Sequence, residues 1–229
     1  MVSTKRLPGE ERRASIIDAV IPLFAKNGFH GTTTRQLAEA AGVSEALLYR
    51  HFPSKEALYE EIQSKSCALP ELDPLFEQLR LIPPSSEKLI FMIHLLLQRI
   101  AIEQDLSLPR LMAGSLLDDG QFATVFLENF KSQFLDLFLE SLAAAKRAGD
   151  CIETGVDDPL KLWICQHVAA SLLFVRLPGK SAIDYGLPRE TVVVQSVRFC
   201  LRGMGFGDGA IARLYRPETL GELVDEENG

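Results

Sequence analysis

Residues 32–55 read TTTRQLAEAAGVSEALLYRHFPSK, and the reading of this stretch decides the fold. Thr33 is placed to cap a helix, since its hydroxyl can accept an orphan N–H of the first turn. Gln36, three residues on, can return a bond to the Thr33 backbone and complete a capping box. The helix then runs through Leu37-Ala38-Glu39-Ala40-Ala41, with Leu37, Ala40 and Ala41 at the three-to-four spacing of a buried stripe. Gly42 stands where the chain must leave, because only glycine takes the left-handed C′ conformation without Cβ strain. Val43 is expected to plug the space beneath the turn. Ser44 caps a second helix that continues through Tyr49 and Arg50. Small side chains at Ala38 and Ala41 let the two helices cross closely, so the stretch predicts a helix-turn-helix.

The second helix has the dimensions of a groove reader. Ser44 to His51 is eight residues, a rod of about 12 Å whose first two turns fit a DNA major groove. Leu48 and Phe52, four apart, point to the core, leaving Ser44, Glu45, Leu47, Tyr49 and Arg50 for the outer faces. Glu45 suits a cytosine amino group and Leu47 a thymine methyl. Tyr49, His51 and Lys55 are donors suited to phosphate oxygens, which fix register without reading sequence. Ser54 and Lys55 open a further helix after Pro53, bringing a positive dipole end toward the backbone. Singly these residues have plainer readings: a common helical hairpin, a half-buried tyrosine, a solvated lysine.

As an ordered set they resemble the DNA-binding domain of the tetracycline-repressor (TetR) family of bacterial transcriptional regulators. The resemblance covers about residues 10–62. It runs through Leu23-Phe24-Ala25-Lys26-Asn27-Gly28-Phe29, Thr32-Thr33, Leu37-Ala38, Ala41-Gly42-Val43-Ser44, Leu48-Tyr49-Arg50-His51-Phe52 and Ser54-Lys55-Glu56-Ala57-Leu58. It implies an all-α chain: an N-terminal three-helix helix-turn-helix DNA-binding domain over 1–65, then a C-terminal helical ligand-binding and dimerisation domain over 66–229. It also implies phosphate contacts at Thr33, Tyr49, His51 and Lys55, with Thr34 beside the first. Groove contacts are implied at Arg35 and across Ser44, Glu45, Ala46, Leu47, Tyr49 and Arg50. Two residues depart from the family pattern. Pro22 falls inside the first helix, where a missing donor predicts a kink costing up to about 3 kcal/mol. Leu47 stands where a small polar residue is usual.

The net charge of −7 at first argues against a nucleic-acid partner, but its distribution removes the objection. Residues 1–65 hold nine Lys/Arg and eight Asp/Glu, so the acidic excess lies in the rest of the chain. Lys5, Arg6, Arg12 and Arg13 are then available to phosphates, and binding is expected to be salt-sensitive. MVSTKRLPGEERRAS has no apolar signal core. The longest uncharged stretch, Leu162–Val175, has 14 residues and includes Gln166 and His167. That is too short and polar to span a bilayer, so a cytoplasmic protein is expected. Cys67, Cys151, Cys165 and Cys200 make neither a C-x-x-C pair nor a zinc pattern, and are expected to be reduced, small hydrophobes. No metal or cofactor site is expected.

After Pro70 the breakers Pro83-Pro84, Gly120, Gly149 and Leu177-Pro178-Gly179 separate helices expected near 86–104, 107–117, 121–148, 158–177 and 188–203. GMGFGDG (203–209) reads as a flexible exit and Glu222–Gly229 as a frayed acidic end. Phe122, Phe126, Phe130, Phe134 and Phe138 recur every four residues, so the row winds about 160° around the helix from first to last. One flat core cannot take all five: the ends pack on different surfaces, or one end lines a cavity. The helix near 158–177 is apolar almost all round and must bury two faces. With the helix near 188–203 it is the expected homodimer interface, about residues 158–203. A dimer would present two reading helices about 34–36 Å apart, matching a palindrome. Effector candidates are Phe91, His94 and Gln98 on one face, Phe126 and Phe130, and Trp163 with His167. The plainer readings are an aromatic core, a solvated edge for His94 and Gln98, and an interface histidine at His167.

The expected function is a regulator, in the repressor mode, released from a palindromic double-stranded operator by a mostly apolar small molecule. A helical-pocket enzyme is the rival, but the chain has no nucleophile elbow, no H-E-x-x-H and no phosphate-cradling glycine loop. A ligand-independent DNA-binding protein is the other alternative.

Overall fold

The structure is a computed structural model and describes residues 9–68 and 73–218. Its helices are α1 (Gly9–Asn27), α2 (Thr34–Ala40), α3 (Glu45–His51), α4 (Lys55–Ala68), α5 (Asp73–Leu81), α6 (Ser86–Ile102), α7 (Ser107–Leu117), α8 (Gln121–Arg147), α9 (Asp158–Phe174), α10 (Arg189–Met204) and α11 (Asp208–Leu214). Among the described residues the β-structure is a single bridge, Cys151 with Phe206, and no helix is long and apolar enough to cross a membrane. Packing divides the backbone into two compact units, Met1–Pro70 with Asp105–Asn129, and Glu71–Gln104 with Phe130–Gly229. Thus α7 and the start of α8 pack as part of the unit that holds α1–α4.

In that first unit α1 supplies the base. Ile16, Ile17, Val20 and Phe24 are buried at helical spacing, and α2, α4 and α7 pack against the same helix. Leu37, Ala38, Leu48, Phe52, Leu58 and Ile62 complete the core. Pro22 does not interrupt α1. The ring lies on the exposed side, where water can take the carbonyl that loses its helical partner. The stripe of α2 differs by one position from that expected: Ala38 is buried and Ala40 exposed. At about 100° per residue, Leu37, Ala41 and Ala38 fall within one 100° arc, whereas Ala40 lies on the other side of Leu37.

The second unit is built around α6, which packs on both α9 and α10. Its core joins Phe76 and Leu79 of α5, Leu89 and Ile93 of α6, Phe134 and Phe138 of α8, Leu162 of α9 and Val197 of α10. The expected twist of the phenylalanine row is present. Phe122 is fully buried and belongs to the first unit, while Phe130, Phe134 and Phe138 sit in the second core. Cys151, Cys165 and Cys200 are free and buried; the Cys67 side chain lies outside the described set.

Three features differ from the sequence reading. Helices α5 and α11 were not expected, since each is only two to three turns long. The GMGFGDG segment is an ordered corner instead of a flexible exit. Gly205, at φ +104°, closes α10 where a Cβ would meet the Ile152 carbonyl oxygen at 2.3 Å. Phe206 is then buried and Gly207 begins α11. The nearly all-apolar face of α9 also conceals Lys161, 2% exposed, whose ammonium meets Asp158 at 2.8 Å. Burial opposes the Asp158 charge, but bonds from Lys146 and Lys161 outweigh it and hold that carboxyl below its ordinary range.

Because Phe138 is fully enclosed and Phe126 only half-buried, truncation separates their roles. Phe138→Ala should cost about 3–5 kcal/mol in a urea titration and Phe126→Ala clearly less.

Candidate nucleic-acid interface

Both helices of the hairpin are capped at their N-termini by side chains. Thr33 Oγ1 accepts from the Gln36 backbone N–H at 3.3 Å, and Gln36 Oε1 accepts from the Thr33 N–H at 2.9 Å. Gly42 follows at φ +63°, and its N–H donates to the Glu39 carbonyl at 3.1 Å. Ser44 Oγ then accepts from the Leu47 N–H at 3.2 Å. The expected turn is therefore present bond for bond, and it aims α3.

Helix α3 keeps one side inward and one outward. Leu48 and Phe52 are buried at 3% and 1%. Ser44, Glu45, Ala46, Tyr49 and Arg50 are exposed, and Leu47 is half-buried. Arg35 is exposed on α2, with Thr34 half-buried at its start.

The cations divide into two kinds that sequence alone does not distinguish. Lys55 is half-buried and donates to the carbonyls of Phe29 and Thr32 at 3.0 and 3.1 Å, its ammonium 4.2 Å from the Phe29 ring centroid. Two of its three donors thus fasten the segment entering α2, leaving one for a phosphate. Arg13, expected to be free for phosphate, has three of its five N–H donors engaged within the protein. Its guanidinium bonds Glu61 of α4 and the His51 backbone carbonyl, and lies 4.4 Å from the Phe52 ring centroid. Lys5 and Arg6 lie outside the described residues. Partial burial, then the charges of Arg50, Arg13 and Arg12, pushes the His51 imidazole below its ordinary pKa.

The family model for bacterial regulatory proteins of the tetR family matches residues 16–62. Over 51 residues the chain is 45% identical to the HTH-type transcriptional repressor KstR2 of Rhodococcus jostii RHA1, covering 22% of this chain and 25% of that protein. Over 48 residues it is 50% identical to the HTH-type transcriptional regulator RutR of Escherichia coli K12, covering 21% and 23%. Over residues 16–62 the chain has the tetR-family sequence pattern. The aligned stretch spans about a quarter of the length of these curated relatives. The fold likeness is wider. A structure of AibR in complex with isovaleryl coenzyme A and operator DNA aligns with 82% of this chain and 97% of its own, at 18% identity and a TM-score of 0.63.

Beyond residues 16–62, the sequence-derived effector candidates fall into separate places. His94 is buried at 4%, not at a solvated edge, and its Nδ1 lies 2.9 Å from the Tyr215 hydroxyl. The partner is 121 residues away, which no local pattern reveals. Phe91 packs on the second core, and Gln98 is half-buried with its Oε1 lacking a hydrogen-bond partner. Phe130 meets Phe134 at 4.6 Å and Trp163 at 5.8 Å, and His167 stacks on Trp163 at 6.4 Å. His167 itself is exposed, and Phe126 counts with the first unit.

Two measurements check these local bonds. Thr33→Ala removes a capping box and should cost about 1 kcal/mol in thermal or urea unfolding. Burial pushes His94 below its ordinary 6.5, with Gln98 pulling weakly the other way. The unfolded chain therefore takes a proton that the folded chain refuses, and stability should fall as pH drops below 6.5. His51 titrates in the same direction, so the urea midpoint should be followed from pH 7.5 to 5 in His51→Gln and in His51→Gln with His94→Asn. The second protein should show the flatter profile.

Proposed function

We propose that the chain is a dimeric, one-component transcriptional regulator that acts in the repressor mode in the cytoplasm. Residues 1–65 are its reading head and residues 66–229 its effector and dimer module. The observation that carries this reading is the exposed face of α3, with Glu45, Ala46, Tyr49 and Arg50 outward on a helix anchored beneath by Leu48 and Phe52. Thr33, Thr34, Tyr49, His51 and Lys55 position the phosphate backbone. Arg35, Ser44, Glu45, Ala46, Leu47 and Arg50 approach base edges.

Dimerisation is supported by apolar surface on the two helices expected to supply it. Leu160 and Ile164 of α9 are 48% and 43% exposed, four residues apart, and Phe199 of α10 is 68% exposed. A second copy would cover them and set two α3 helices one DNA turn apart. The effector would be a mostly apolar molecule held in the α6, α8 and α9 region. The acyl-coenzyme A class, carried by the AibR structure, is the first to test, its acyl chain being the apolar part that this region would hold. Release follows where the effector favours a dimer state with the wrong helix separation, a coupling of about 1–3 kcal/mol.

Selection of binding sites from a random duplex pool tests the reading. A two-fold-symmetric site bound by two chains is expected, and enrichment of no sequence at moderate salt overturns it. Phe199→Glu should give single chains in ultracentrifugation and lose the site. Tyr49→Phe should weaken all duplexes alike, whereas Glu45→Ala or Leu47→Ala should change which bases are preferred.

A further inference from the structure

Arg13 stands on the same side of α1 as the buried stripe, three residues before Ile16 and four before Ile17. A guanidinium there faces inward, and the structure shows what it meets. Its Nε donates to Glu61 Oε1 at 3.2 Å and its Nη2 to Glu61 Oε2, a two-pronged pairing with α4. Its Nη1 donates to the carbonyl oxygen of His51, the last residue of α3. Its flat face lies on Phe52, the C-cap of that helix. One side chain thus joins three helices, and it does so at the end of the groove reader.

The physics of α3 makes this placement consequential. A seven-residue helix is far too short to be stable alone, so its direction is set by what holds its ends. The front end has Ser44. The rear end has no left-handed glycine, since Phe52 is extended at φ −133° and ψ 111°, and the His51 carbonyl would otherwise face outward unpaired. Arg13 satisfies that carbonyl and adds positive charge at the negative end of the helix dipole. Lysine cannot reproduce this, because the fork to Glu61, the bond to His51 and the stacking on Phe52 need a planar group.

We propose that Arg13 and Glu61 form a positioning clamp that sets the angle of α3 in the groove, and that Arg13 is not itself a phosphate contact. The clamp rests on the regulator reading above and assigns a DNA-binding role to an acidic residue, Glu61. That gives a test by sign. If charge alone matters, Glu61→Gln removes a negative group from a DNA-binding head and tightens binding. If the clamp matters, Glu61→Gln lets Arg13 and the end of α3 shift, and binding weakens.

The experiment uses the full chain and a duplex selected by the wild type, with a scrambled duplex beside it. It is run at a temperature where circular dichroism gives every variant the wild-type helical content. Dissociation constants are read from 50 to 300 mM KCl. Glu61→Gln and Arg13→Lys should each weaken the selected duplex by about ten-fold, the worth of one base contact, and leave the scrambled duplex unchanged. The slope of log Kd against log salt should stay at the wild-type value, since no phosphate contact is lost. Tighter or unchanged binding by Glu61→Gln overturns the clamp. So does an equal loss on both duplexes in Arg13→Ala with a slope lower by about 0.9, which marks a phosphate contact. A wild type that selects no duplex overturns the regulator reading and the clamp with it. The other two outcomes overturn the clamp alone.

Discussion

A helix of seven residues cannot hold its own direction, and the first unit is organised around supplying that direction to α3. Leu48 and Phe52 anchor it in the core of the first unit. Ser44 closes its front, and the left-handed Gly42 ties it to α2 at a fixed crossing. Lys55 fastens the segment that leads into α2 through the Phe29 and Thr32 carbonyls. Each of these bonds acts on orientation, and orientation is what a groove reader needs. The consequence for charge is direct. Lys55, Arg13 and Lys65 are engaged with carbonyls, Glu61 and Asp18, so a domain already near neutrality has fewer uncommitted cations than its composition implies. In the proposed regulator, affinity would then lean on geometry more than on long-range field.

The second unit follows a different constraint, the mismatch between a four-residue phenylalanine repeat and the 3.6-residue turn. Phe122 and Phe138 are both fully buried, yet they cannot share one plane of packing, and they belong to different units. The same helix therefore serves two cores without an extra connection. In the second unit Lys161 of α9 and His94 of α6 are buried polar groups that a hydrophobic interior accepts at low cost only with partners: Asp158 for the first and Tyr215 for the second.

Much of the reading head was legible because its signals are local. The Thr33–Gln36 box, Gly42, Ser44 and the Leu48/Phe52 pair are all separated by four residues or fewer, and each was found as expected. The phase of α2 was misread by one position because alanine gives almost no contrast between inside and outside. Pro22 looked like a defect until its exposed position was known. The glycine-rich 203–209 stretch looked loose because composition does not show that Phe206 meets Cys151 and Gly205 meets Ile152 across half a hundred residues. Helices α5 and α11 are too short to show a clear period.

Caps, turns and apolar stripes were determined by the chain itself, since they depend on neighbours within a turn or two and on the intrinsic geometry of glycine and hydroxyl side chains. What only the tertiary structure decided is the use of the charged and polar groups. Whether Arg13 or Lys55 faces a phosphate or a carbonyl, and whether His94 is wet or enclosed, depends on partners 23 to 121 residues away. Linear spacing does not encode those meetings. They arise when separate helices pack and a polar group, stripped of water, must take the partner that packing brings.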